Sequence, residues 1–182
     1  MQDGINNNAT YALNNNWADS ASIYYKNSAI KIEIDNWYQD KLINYQDKLA
    51  SEYYCGESHA NWNMGPDEGA LYTDYVPTFK CEATDFNHLL NIGLLTYDEV
   101  VFSGGYWDLE NDSYYLASGS SSWTMSPAGY IGGMAYSWGF KSSRSVYPTT
   151  TNENISLRPV INLKTNQKIT GNGTSTNPYV IE

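Results

Sequence analysis

Cys55, His59, Cys81 and His88 are the chain's only cysteines and histidines, and they carry most of its ligand and nucleophile chemistry. Their spacing, Cys-x3-His followed by Cys-x6-His, leaves three chemistries open. Thiolates and imidazoles are zinc ligands, yet this spacing fits no common structural zinc pattern. Cys55 beside His59 resembles a nucleophile next to a base, but no supporting signature surrounds the pair. A Cys55–Cys81 disulfide would close a loop of about 26 residues and add roughly 3.5 kcal/mol of stability in the chain-entropy picture. The disulfide is the favoured reading. Residues 55–88 read as one long loop region, with turn signals at Gly56, Gly65-Pro66 and Val76-Pro77, and loops of that length are usually stapled, functional or mobile.

Asp108-Leu-Glu110-Asn-Asp112 alternates oxygen ligands in a way that could meet calcium. An EF-hand loop needs Gly at its sixth place and Glu at its twelfth, where this stretch has Ser113 and Gly119. A solvated acidic loop is therefore preferred, and neither a metal nor any other cofactor is expected.

The segment between Trp123-Thr-Met-Ser-Pro127 and Leu157-Arg-Pro-Val-Ile-Asn-Leu163 is rich in Tyr, Trp, Gly, Ser, Thr and Asn. Tyr and Trp bring large rigid contact area with a polar tip, and Ser, Gly and Asn adapt their hydrogen bonds, as recognition surfaces require. The segment lacks the density of titratable groups that acid–base catalysis uses. Tyr130, Tyr136, Trp138, Arg144 and Tyr147 are the expected ligand-binding residues. In residues 134–140 alternation puts Met134, Tyr136, Trp138 and Phe140 on one face. That face either enters the core or forms an exposed patch, so residues 129–133 and 141–154, read as flanking loops, are the safer binding surface. Trp123 is expected in core packing. Arg158 is expected to anchor the closing strand through a carboxylate or backbone carbonyls.

These groups need a frame. Ser28 can cap a helix along which Ile30, Ile34, Trp37, Tyr38, Leu42 and Tyr45 recur at helical spacing. Lys31, Glu33, Asp35, Asp40 and Lys41 fall mostly on its other face. Trp37 is expected to be buried against a sheet. Thr96-Tyr-Asp-Glu99 is a capping box opening a second short helix, which Gly104-Gly105 can stop. Strand signals follow at residues 114–116, 121–125, 134–140, 155–163 and 179–181. Asn172-Gly173 marks a turn before the last of them. Helices first and strands later predict an α+β fold with an antiparallel sheet.

Composition bounds the function. A chain of 182 residues is enough for one ordinary domain. Ten Lys and Arg stand against twenty Asp and Glu, a net charge of −10. Binding to a phosphate backbone needs a basic footprint, so nucleic acid is not an expected partner. Aromatic residues reach 15%, led by 17 tyrosines, a core-forming resource that argues against a disordered chain. No stretch approaches the roughly 18 consecutive apolar residues of a membrane span. The opening Met1-Gln-Asp-Gly lacks the apolar core of a signal peptide, so an export signal is expected outside this sequence, unless another route is used.

Gly93-Leu-Leu-Thr-Tyr-Asp-Glu-Val-Val-Phe-Ser-Gly-Gly105 resembles the Leu-Pro-Thr-x-x-Glu helix and following Gly-Gly of the formylglycine-generating-enzyme branch of the C-type-lectin-like fold. Trp123-Thr-Met-Ser-Pro127 resembles that branch's Trp-x-x-Ser-Pro strand, and Leu157-Arg-Pro-Val its closing segment, with Leu157 where Gly-Phe or Gly-Val is usual. The ordered series from Asn36-Trp-Tyr through Lys80-Cys81, Tyr114-Tyr-Leu and Asn177-Pro-Tyr-Val-Ile181 is similar to an uncharacterised domain of Gram-positive and gut bacterial surface proteins and their phages. The resemblance implies an α+β, C-type-lectin-like fold with two helices packed on a small, mainly antiparallel twisted sheet with long loops. It also implies a single domain over residues 1–182, short of the N-terminal strands that similar domains carry. The same branch includes the variable ligand-binding proteins of diversity-generating retroelements and phage tropism determinants. Its enzymes use a close pair of late cysteines to hold copper, and this chain has no cysteine after Cys81.

The expectation is a non-enzymatic recognition or display module on a bacterial cell surface or phage particle, hence extracellular. It would bind a protein or glycan ligand of a cell surface, with no nucleic acid and no membrane insertion. A structural spacer or adhesin-stalk domain is the rival, and an enzyme of unrecognised type the third reading.

Overall fold

The computed structural model describes residues 25, 28–55, 87–107, 111, 114, 116, 119–131, 133–141 and 145–182. They form a mixed α+β structure with two α-helices and small sheets whose pairings are antiparallel in all but one case. Helix α1 spans Ala29–Lys41. Ser28 caps it by accepting a hydrogen bond from the Lys31 amide, 3.2 Å, which satisfies one of the amides a helix start leaves open. Ile30, Ile34 and Tyr38, spaced by four, form its buried line.

Trp37 departs from expectation. It is half-buried and packs at the margin of that line, because position 37 sits about 60° around the helix from Ile34. Tyr45, the last member of the expected stripe, lies in a 3-10 turn, Ile43–Tyr45, and is exposed.

Strands β1 (Leu49–Ala50), β2 (Glu52–Cys55) and β3 (Asn87–Leu90) follow, with β2 and β3 antiparallel. Helix α2, Tyr97–Phe102, starts at the expected capping box. The Glu99 amide donates to Thr96 Oγ1 at 3.2 Å, and the Thr96 amide donates to Glu99 Oε2 at 2.8 Å. Gly104 ends the helix at φ 111°, a conformation that favours residues without a Cβ.

The largest sheet holds β4 (Tyr106–Trp107), β5 (Ser122–Ile131), β6 (Met134–Phe140) and β7 (Ser145–Thr150), in the order β4-β7-β6-β5. β5, β6 and β7 form an antiparallel meander, and β4 joins β7 in parallel. Pro127 sits where the β5–β6 register shifts, a place where a sheet tolerates a missing amide. The expected loops at 129–133 and 141–154 are thus corrected. Residues 129–131 continue β5, and the Val, Tyr and Thr residues of 145–150 form a strand. Residues 114 and 116 lie outside any strand.

Two buried clusters sandwich the meander. The first gathers Ile30, Ile34 and Tyr38 of α1 with Tyr54, Leu94, Trp123 and Met125. The second gathers Tyr97 and Val100 of α2 with Trp138, Phe140 and Val146. Ser137, Trp138, Gly139 and Phe140 are all buried in succession, because β6 is covered on both faces.

The closing segment, expected as one strand over 155–163, is a strap instead. Ser156 bridges Ser122, Val160 bridges Gly93, and β8 (Asn162–Leu163) pairs with β1. Pro159, which lacks an amide, falls between the contacts. A terminal hairpin, β9 (Ile169–Thr170) with β10 (Val180–Ile181), follows. Its intervening turn includes Asn172, whose Oδ1 accepts from Thr174 Oγ1 at 2.9 Å. No helix among the described residues is long and apolar enough to cross a membrane.

Candidate recognition surface

β6 and β7 place Tyr136 opposite Thr150, and Gly139 opposite Tyr147. At the end of β7 the chain turns back, with the Glu153 amide donating to the Thr150 carbonyl at 2.9 Å. That turn brings Glu153 to the same rim. Tyr136, Tyr147, Pro148, Thr150 and Glu153 then line a shallow depression of about 390 Å³.

Both tyrosines are half-buried. The Tyr136 hydroxyl lies 3.7 Å from Met134 Sδ. The Lys141 ammonium stands 4.5 Å from the centroid of the Tyr147 ring, within cation–π range. Half-held aromatic rings of this kind offer contact area at little further entropic cost.

The depression lies along the outer edge of β7. Lys141 N donates to Ser145 O at 2.8 Å and Thr151 N donates to Ala135 O at 3.0 Å. Odd-numbered residues of this register therefore bond β6, and the backbone of Pro148 faces away from it.

Two of the five expected ligand-binding residues, Tyr136 and Tyr147, meet in this depression. Trp138 does not join them. It is 1% exposed, and its ring stacks at 4.5 Å, tilted by 40°, against Tyr97 of α2. The aromatic face of β6 turned towards α2 because the helix supplies an apolar surface to bury against, so Trp138 is core. The Tyr130 side chain and Arg144 lie outside the described residues. Pro148, Thr150 and Glu153 were not foreseen as site residues. The signal for Pro148 and Thr150 was the run Val146-Tyr-Pro-Thr-Thr150, which reads as an edge strand once its Pro is taken as an edge marker.

The framework residues stand as follows. Trp123 is 1% exposed in the first cluster. Arg158 donates from Nη1 to the Leu116 carbonyl, and its guanidinium lies 5.1 Å from the Phe140 ring centroid. Burial lowers its pKa, against a raising influence of Tyr114. Cys55, at the end of β2, is disulfide-bonded and offers no thiol to a metal or substrate. Cys81 and His59 lie outside the described residues, as does the His88 side chain. Of the acidic loop, Asn111 is described, and its Nδ2 donates to the Gly104 carbonyl at 2.7 Å. Among the described residues, no three His, Cys, Asp or Glu side chains group to hold a metal.

Comparison with family models, with curated proteins and with solved structures returned no match for this chain.

Proposed function

We propose that this chain is a non-enzymatic ligand-recognition or display module with a C-type-lectin-like fold, working outside the cell on a bacterial surface or phage particle. The observation that carries the reading is the depression where Tyr136 and Tyr147 meet Thr150 and Glu153. Two tyrosines reaching the edge of β7 from opposite faces of the sheet, with a hydroxyl and a carboxylate, line a polar-rimmed depression suited to a sugar ring or a protein loop. It sits on a meander buried between two apolar clusters, and rigid elements hold binding geometry better than free loops do. The capping box over Thr96–Glu99, the Trp123–Pro127 strand and the Arg158 strap support the fold assignment by their order along the chain.

The test is binding of the purified protein to glycan and protein arrays and to whole bacterial cells. Tyr147→Ala combined with Glu153→Ala should abolish the strongest signals while the melting temperature stays within a few degrees, as expected for partly exposed positions. Unchanged binding by a folded double variant would remove this face from the recognition reading and favour the spacer role.

A further inference from the structure

A second cavity, of about 450 Å³, opens where β2, the start of α2 and the closing strap meet. Buried Tyr54 supplies an aromatic wall, and Tyr53, the preceding residue of β2 and 72% exposed, borders the cavity from the other side of the strand. The Tyr54 hydroxyl donates to the Val160 carbonyl at 3.1 Å and accepts from Asn162 Nδ2 at 2.8 Å. That ring is therefore fixed and its donor already engaged. Glu52 and Glu99 complete the walls.

These two carboxylates differ in how they are held. Glu99 is fixed by the capping box, with Oε2 accepting from both the amide and the hydroxyl of Thr96. The Glu52 carboxylate makes no hydrogen bond or ion pair with any described residue. No Lys or Arg appears among the described residues lining the cavity. Of the amides at the start of α2, that of Thr96 binds Glu99 itself, while Tyr97 N donates to Ser126 Oγ at 2.9 Å and Glu99 N to Thr96 Oγ1.

The field inside the cavity registers on Tyr54. Its phenol is pushed up to about 12, by burial first, then by Glu99 and, more weakly, by Glu52, against a lowering contribution from Asn162. The carboxylate contributions to that shift, each smaller than that of burial, reflect a negative potential that also attracts a cation.

We propose that this cavity is a binding site for an organic cation, a primary ammonium or guanidinium group on a short aliphatic stem. The charged head would sit between the Glu52 and Glu99 carboxylates, with the stem against the Tyr54 ring. Aromatic faces and carboxylates act in the same direction here, because a ring's negative face and an anion both favour positive charge. A neutral or anionic ligand meets the Glu52 carboxylate, which has no partner among the described residues, and a Glu99 carboxylate bonded only by Thr96. The site is independent of the depression at Tyr136 and Tyr147, so either can fail without the other.

Two-dimensional NMR titration of the whole chain tests the proposal. N-acetyl-lysine methylamide and N-acetyl-arginine methylamide serve as peptide-type probes, putrescine as a free diamine, and N-acetyl-norleucine methylamide as the neutral control. The cationic probes should shift the amides of Tyr53, Tyr54, Glu99 and Asn162, and binding should weaken as salt is added. Binding by the amino-acid probes alone identifies a protein side chain as the source of the cation, and binding by putrescine alone a free polyamine. Glu52→Gln and Glu99→Gln should each weaken binding about fivefold, the scale of one partly screened charge contact. Gln at 99 keeps the capping-box pattern. Should that variant unfold, Glu52→Gln decides alone, because the Glu52 carboxylate bonds to no described neighbour. Equal binding of the norleucine control, unchanged affinity in the folded Gln variants, or no shift with any cationic probe would each overturn the proposal.

Discussion

Tyr54 lies on Gly93 so closely that a Cβ at position 93 would stand 2.5 Å from the ring's Cδ1. The two residues are far apart in sequence. Their contact is where β2 meets the approach to α2, and it holds the ring that walls the cation cavity. Gly93 also bonds the strap, donating to Val160 O at 3.0 Å and accepting from Val160 N at 2.9 Å. Neither backbone nor ring can move aside without breaking those bonds.

Gly93→Ala should therefore destabilise the fold by about 1–3 kcal/mol, the usual range for overpacking. Urea unfolding followed by tryptophan fluorescence measures it. A loss of a few tenths of a kcal/mol would mean that the ring slides away freely and that the contact is not a constraint.

The raised phenol of Tyr54 gives a pH signature. In the unfolded chain a tyrosine ionises near 10, and in the folded protein Tyr54 holds its proton up to about 12. The folded state binds more protons between those values, so the stabilisation is fully present below pH 10 and is lost as pH rises towards 12. Unfolding free energy measured across this window should fall more steeply in the native protein than in Tyr54→Phe. Equal slopes would show that Tyr54 titrates like an ordinary phenol.

Trp123 and Trp37 should respond differently to truncation. Trp123 is buried in the first cluster, so Trp123→Ala should cost about 3–5 kcal/mol. Trp37 is half-buried at the edge of the same cluster, and Trp37→Ala should cost roughly half as much, since less area is lost from packing. Chemical denaturation of the two variants gives the order. A larger loss at Trp37 would relocate the centre of the core to α1.

The disulfide of Cys55 is predicted to be with Cys81. Proteolytic mapping of non-reduced protein should recover one peptide pair joined through these residues, and reduction should lower stability by about 2–5 kcal/mol. Recovery of two free thiols from unreduced, denatured material would end the prediction.

What could be read from sequence divides along physical lines. The caps were legible because they are local: Ser28 with Lys31, and Thr96 with Glu99, meet within one turn of chain. The buried line Ile30–Ile34–Tyr38 was legible from period alone. The burial of Trp138 was not, since the pattern of β6 fits either face outward and α2 decides which. β7 was read as loop because Pro148 interrupts its strand signal. The cation cavity was invisible, because Glu52, Glu99 and Asn162 come from three segments that only the folded chain brings together. Of the residues lining the depression at β7, Tyr136 and Tyr147 were singled out in the sequence by type and neighbourhood, while Glu153 needed the turn after β7 to arrive there.

Pro148 has a consequence for crowding. A sheet edge that offers a continuous row of amides can recruit a strand from the next copy and grow into a polymer. Here β4 occupies Ser145 and Val146, Pro148 presents no amide, and the Thr150 carbonyl is taken by Glu153. On the opposite side, Met125 N bonds Leu95 O and Trp123 N bonds Ser156 O. Both flanks of the meander are thus blocked at these positions, which disfavours strand-by-strand zipping of neighbouring copies through them.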